Sequence, residues 1–198
     1  MGVDLRSRGD VEQATGGRLI VSSHRSAIDI LITFSLFGGR ILSRGDIGRW
    51  PVAGHLARRT GTIFVDRDSR ASGAAAIRQV RRALSAGDTV TVFPEGTTYR
   101  GDEVRPFNAG VFAAVSRLDV EIVPMGIAYP AGVEYFEESM AAHLGRVAGR
   151  RATPVGVVVG KPRRMKNAKA SELAATLHEE VQALTYTARG LLSAPEAR

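Results

Sequence analysis

The residues best able to do chemistry are a histidine and an aspartate five positions apart in VSSHRSAIDI, His24 and Asp29. Residues five apart on an ideal helix point roughly 140° away from each other, so the two can meet only if His24 precedes the helix carrying Asp29. The carboxylate then reaches back to one ring nitrogen, fixes the tautomer and leaves the other nitrogen as a proton acceptor. A general base is built this way. An aspartate at a helix start is also ordinary capping chemistry, so the pair alone leaves both readings open. Of the other histidines, His55, His143 and His178, none has comparable company.

Three further clusters stand at the ends of apolar runs. In FPEGTT (93–98), Pro94 stiffens the exit, Glu95 offers a carboxylate at the ligand edge, and Gly96 lets backbone approach a ligand closely. Thr97 and Thr98 add hydroxyl donors; an ordinary Pro-Glu-Gly turn is the plainer alternative. In GTIFVDR (61–67), Arg67 would project from the same edge and could grip a phosphate with its planar fork, or simply pair with Asp66 or Asp68 in solvent. In IVPMGI (122–127), a proline inside an apolar run suggests a strand broken at a sheet edge.

The elements that must position these residues follow from periodicity. Short β-branched runs predict strands at 18–22, 40–43, 62–66, 89–93, 121–127 and 154–159, each bounded by Gly, Pro, Asp or Ser. Longer patterns between them predict helices at 27–37, 51–59, 69–86, 108–118, 133–147 and 171–190. In the third helix Ile77, Val80 and Leu84 form an apolar stripe while Arg78, Arg81 and Arg82 decorate the rest. Gly38-Gly39, Gly61, Gly87 and Gly190 follow helical patterns where a left-handed cap is usual. The alternation predicts an α/β fold with a mostly parallel central sheet flanked by helices, whose ligands bind beyond the strand C-terminal ends. One domain over 1–198 is expected, with a core at about 18–160 and a C-terminal helix at about 168–190.

Composition narrows the chemistry. With 44% hydrophobic and 24% charged residues among 198, a buried core is expected and a disordered or coiled-coil chain is excluded. Cysteine is absent, which removes disulfides, zinc-thiolate sites and a thiol nucleophile, and suits the cytoplasm. The net charge of +7 rests on arginine, since Lys161, Lys166 and Lys169 are the only lysines. That balance admits a phosphorylated ligand, an acidic carrier protein or an anionic membrane surface. A nucleic-acid partner is not expected, because aromatics are 6% and no recognition motif is present. The longest charge-free runs, 30–39 and 122–133, fall short of a spanning helix.

Taken in order, SHRSAID, GTIFVDR, FPEGTT and IVPMGI resemble the four motif blocks of the glycerolipid acyltransferase family, typified by bacterial lysophosphatidic acid acyltransferases. The resemblance runs over about 21–129. It implies that His24 is the general base, that Asp29 orients it, and that Arg67, Glu95 and Gly96 bind the acceptor. The implied reaction moves a fatty acyl group from acyl-CoA or acyl carrier protein to an acceptor hydroxyl, most simply that of 1-acylglycerol-3-phosphate, with no metal or other cofactor. Direct transfer suits a chain without cysteine better than an acyl-enzyme.

The departures bear on the acceptor. Ser23 stands where the family often has Asn, Thr98 where it has Arg, and Asn108 where a basic residue follows the later Phe. Arg100 and Arg105 could replace the lost arginine beside Thr97. FPEGTT with its following Gly and Pro-Phe also resembles the branch acylating non-phosphate acceptors such as lyso-ornithine lipid. Many family members carry a membrane-embedded segment before the first block, whereas 23 mostly polar residues precede His24. Attachment is therefore expected to be peripheral, through arginines on anionic lipid and apolar side chains such as Trp50 and Leu56 near Arg49, Arg58 and Arg59. Those residues could equally be core and a solvated helix face. Two readings from other classes compete. A metal hydrolase could use His24, Asp29 and Glu95 but has no second histidine at ligand spacing. A silent lipid- or CoA-binding module would need Arg67 and Gly96 but not the His24–Asp29 pair.

Overall fold

The computed structural model describes residues 2–11, 15–45, 59, 61–66 and 69–193. In chain order the elements are β1 (Val3–Arg8), β2 (Arg18–Ser22), α1 (Ile28–Phe37), β3 (Arg40–Arg44), β4 (Ile63–Val65), α2 (Arg70–Ser85), β5 (Thr89–Val92), a 3-10 helix (Ala109–Ala114), β6 (Glu121–Ala128), α3 (Met140–Ala148), β7 (Thr153–Val159) and α4 (Ala170–Ser193). The strands form one seven-stranded sheet in the order β1-β7-β6-β2-β5-β3-β4. Every neighbouring pair is parallel except β6–β7. The expected α/β fold with a mostly parallel sheet is what the chain adopts.

Pleating sorts the apolar side chains. Leu19 and Val21 of β2 join Val90, Val92 and Ile122 on one face, under Val80 and Leu84 of α2 and Leu173, Leu177 and Val181 of α4. Ile20 joins Val123, Met125 and Ile127 on the other face, under Ile28 and Ile32 of α1 and Val147 of α3. Burial of each such side chain contributes about 1.5–3 kcal/mol. Helix α4 lies unusually close to the sheet: a Cβ on Gly126 of β6 would sit 2.3 Å from the Leu184 backbone, and one on Gly156 of β7 would sit 2.1 Å from the Ala188 carbonyl oxygen. Only glycine permits that approach.

The register sets up the site. Val21 lies beside Val92 of β5, and Ser22 beside Met125 of β6, so these three strands end at one edge. His24, Glu95 and Tyr129 therefore emerge side by side.

Several sequence expectations need correction. IVPMGI is not a broken edge: β6 runs unbroken between β2 and β7. Its pairing shifts from Met125↔Val159 to Ile122↔Arg163, three steps against four, and Pro124 sits at that bulge, where its missing N–H costs no ladder bond. β1 was not expected, because VDLRSR has too few apolar residues; it is an edge strand. The helix expected at 108–118 is a six-residue 3-10 helix, its first turn held by the Asn108 side chain accepting from the Gly110 N–H. The helix expected at 133–147 begins only at Met140, capped by Ser139, because Glu137 before it takes a left-handed conformation. Gly190 lies inside α4 and does not cap it. Apart from Arg59, which is exposed, the helix expected at 51–59 lies outside the described residues, as do Arg49 and Trp50.

Candidate active site

Two residues beyond β2, the chain turns into α1 with no side-chain cap from Ala27. Asp29 supplies what the turn lacks. Its Oδ2 accepts from the backbone N–H groups of Arg25 (2.6 Å) and Ser26 (2.9 Å), while His24 Nδ1 lies 2.8 Å from the same oxygen. Its Oδ1 accepts from the Tyr129 hydroxyl at 2.5 Å. The carboxylate is fully buried, and four donors offset its lost hydration. Burial pushes the Tyr129 phenol well above its ordinary range, and the charge of Asp29 and its hydrogen bond push it further, so Tyr129 stays a donor.

The His24 ring is pinned on its other side by stacking on Phe93, with centroids 4.3 Å apart and planes 18° apart. Nδ1–H directed at Asp29 leaves Nε2 as the acceptor nitrogen. The ring retains 18% of its side-chain exposure and lines a cleft of about 140 Å³. Gly96, Thr97 and Thr98 share that cleft, together with Arg44 at the end of β3.

Glu95 behaves otherwise than its place in the sequence suggested. Its side chain is fully buried against Arg25, whose Nη1 donates to both carboxylate oxygens at 2.9 and 3.0 Å. The carboxylate also accepts from the His24 N–H (2.8 Å) and the Arg105 N–H (2.9 Å). It ties the FPEGTT turn to the histidine turn, and it does not present itself to solvent at the ligand edge. Arg25 completes the tie by donating to the carbonyls of His24 and Glu103.

The remaining expected residues divide. Arg100 lies 5.0 Å over the Phe136 ring, and Arg105 lies 5.4 Å over Tyr99 with Glu103 3.9 Å away. Neither lines the His24 cleft. Arg67 lies outside the described residues. Arg44, Arg25 and Tyr129 are the site residues that sequence reasoning missed. Arg44 carried a signal, being a cation at the C-terminal end of a parallel strand. The other two carried none in their spacing.

A second groove of about 270 Å³ runs from the same edge between the sheet, α2 and the 3-10 helix. Val65, Ile77, Val80 and Val111 line it, and it shares Leu42, Phe93 and Gly96 with the His24 cleft. Behind the site, buried His143 of α3 holds Ser26 Oγ at 3.0 Å through Nε2. Burial, then the neighbouring Arg146 charge, lower its affinity for a proton below the ordinary histidine value, with Glu138 and then Asp29 opposing. His178 Nε2 donates to the Val104 carbonyl, 2.9 Å away, far along the sequence from His24. Among the described residues no three His, Asp or Glu side chains converge as metal ligands would.

Comparison with known proteins gives this geometry a family. Residues 4–128 match the family described as Acyltransferase. The lyso-ornithine lipid O-acyltransferase of Pseudomonas aeruginosa is 29% identical over 174 residues, covering 83% of this chain and 66% of its own. The 1-acyl-sn-glycerol-3-phosphate acyltransferase of Neisseria gonorrhoeae is 28% identical, covering 57% of this chain and 44% of its own. The lyso-ornithine lipid O-acyltransferase of Rhodobacter capsulatus is 33% identical, covering 66% and 48%. The chain thus spans two thirds or less of each of these relatives. Among solved structures, the 1-acyl-sn-glycerophosphate acyltransferase of Thermotoga maritima shares the fold with a TM-score of 0.70 over 99% of this chain and 75% of that one, at 20% identity. The match begins in the edge strand β1 and ends with the last residue of β6, so it takes in every strand whose end contributes to the cleft: the chain belongs to the acyltransferase family.

Proposed function

We propose that the chain is an O-acyltransferase that moves a fatty acyl group from a thioester, acyl-CoA or acyl carrier protein, to the hydroxyl of a lysolipid. The observation that carries this reading is the 2.8 Å contact between His24 Nδ1 and buried Asp29, on a ring that lines a cleft. His24 Nε2 takes the proton of the acceptor hydroxyl as its oxygen attacks the thioester carbonyl. The tetrahedral adduct collapses with loss of the C–S bond, and the imidazolium returns the proton to the departing thiolate. Both donors belong to the cytoplasm, and lysolipid reaches the cleft by peripheral contact with anionic membrane. No described helix is long and apolar enough to cross one.

The acyl chain lies in the groove between α2 and the 3-10 helix, which opens beside Phe93 and Gly96. For the head group, 1-acylglycerol-3-phosphate would use Arg44, in the cleft, and Arg67, two residues past β4. Gly96 and Thr97 line the acceptor's approach, whereas Arg100 and Arg105 act at most from outside. A second acceptor, lyso-ornithine lipid, is favoured by Thr98, which lines the cleft at the place where the family often has arginine.

The deciding experiment offers the purified chain acyl-CoA and acyl carrier protein donors against lysophosphatidate and lyso-ornithine lipid. Thiol release and product mass are followed. With a phosphate acceptor, Arg67→Ala raises the acceptor KM about tenfold, in line with a charge-assisted contact, and leaves the donor KM unchanged. An unchanged acceptor KM together with faster turnover of lyso-ornithine lipid would select the second acceptor. No thiol release with any pair would reject the activity.

A further inference from the structure

We propose that Tyr129 is a positioning residue of this site, acting through Asp29 on His24. It follows the last residue of β6, the strand beside β2, and its side chain is 1% exposed. Its hydroxyl reaches Asp29 Oδ1 at 2.5 Å, while the other three donors, His24 Nδ1 and the N–H groups of Arg25 and Ser26, all converge on Oδ2. Tyr129 is thus the donor that holds the second oxygen.

Two effects follow. A carboxylate held at both oxygens cannot rotate about its Cβ–Cγ bond, so the Oδ2 lone pair stays aimed at the imidazole. A donor on Oδ1 also draws negative charge away from Oδ2, which moderates how strongly Asp29 favours the imidazolium. The phenol is held protonated by burial and by Asp29, so it acts across the whole working range. The other charged and titratable groups around the pair are accounted for. Arg25 and Glu95 neutralise each other. His143 touches the turn through Ser26 Oγ and feels the Asp29 charge, the last of the influences on its proton affinity. Arg44 stands across the cleft on β3.

This inference rests on the reading of His24 as general base, so its test includes a signal that needs no turnover. The low-field proton resonance of His24 Nδ1–H, identified by its loss in His24→Gln, is recorded for the full chain and for Tyr129→Phe. Losing the hydroxyl should move that resonance downfield. It should also move the acid limb of the kcat/KM profile to higher pH by about half a unit, and lower kcat about tenfold with the acceptor KM unchanged. Replacing Tyr129 with 3-fluorotyrosine keeps the shape and strengthens the donor, so both shifts should reverse; this arm decides the matter if Tyr129→Phe does not fold. A resonance that stays put in either folded variant overturns the role of Tyr129. Absence of thiol release in the parent chain, with the resonance shifting as expected, overturns the acyl-transfer reading and leaves the positioning intact.

Discussion

Asp29 sits at the centre of the site because it does two jobs with one side chain: it caps the turn that carries His24 and it fixes the imidazole. His24→Ala should therefore abolish thiol release while leaving the melting temperature nearly unchanged, since the ring stacks on Phe93 at a cleft wall and fills no core position. General-base removal typically costs about 10²–10⁴-fold. Asp29→Asn should cost nearly as much and also destabilise, because its amide nitrogen either meets the three donors that converge on Oδ2 or forces the Tyr129 hydroxyl to turn from donor to acceptor; an active, fully stable Asp29→Asn would contradict the arrangement. Glu95 separates two roles. As an acceptor ligand its loss would raise acceptor KM alone, but as the buried partner of Arg25 its replacement by Ala should lower stability by about 3–5 kcal/mol and reduce kcat. Denaturant unfolding and kinetics on one Glu95→Ala preparation distinguish the two. His24 and Asp29 were legible in the sequence because five residues separate them and local geometry fixes what they can do. Arg25–Glu95 and Asp29–Tyr129, 70 and 100 positions apart, were not, because only the order of β5, β2 and β6 in the sheet brings them together.

Among the elements, those with strong period were legible to within three residues. β2 is buried at all five positions and was placed at its observed bounds, and α2 shows the expected apolar stripe with Ser69 capping its start. The misses share a cause: at β1, the 3-10 helix and the start of α3, local pattern is weak and tertiary contacts decide. α3 shows this well. Its residue His143 holds the Ser26 turn from behind, and Ser139 and Glu137 set where the helix can begin. Because burial and Arg146 keep His143 from taking a proton, the folded chain binds that proton at lower pH than the unfolded chain, whose histidines titrate at about 6.5. The stability that depends on neutral His143 is thus complete above about pH 6.5 and is lost as pH falls. Melting temperatures at pH 7.5 and 5.5 should drop less for His143→Asn than for the parent chain. Equal drops would mean that His143 does not carry the acid sensitivity.

On the scale of the molecule, the sheet order places two cavities at one edge, and Phe93 and Gly96 belong to both. The His24 cleft is framed by β3, the turns that follow β2 and β5, and the 130–139 loop, whereas the second groove, walled by Val65, Ile77, Val80 and Val111, runs down the α2 side. Such a division suits a reaction whose polar centre must meet a long apolar chain. A flexible acyl chain gains about 0.8 kcal/mol per buried methylene, close to fourfold in binding, until the groove ends. Donor preference should accordingly rise with length and then fall past one value. Gly73 offers a way to move that value without touching His24. It lies in α2 on the groove wall, and a Cβ built there meets nothing within 4 Å, so a larger side chain projects into open groove and not into the core. Gly73→Ala should be tolerated or stabilising, since alanine favours a helix by about 0.8–1.0 kcal/mol over glycine. Gly73→Leu should shift the preferred donor shorter by a few carbons, with turnover of the shortest thioesters unchanged. The measurement is kcat/KM for a series of thioesters from short to long acyl groups on the parent chain and both variants. If Gly73→Leu keeps the parent's profile while remaining folded, the acyl chain does not lie along α2 and must leave the His24 cleft by another face.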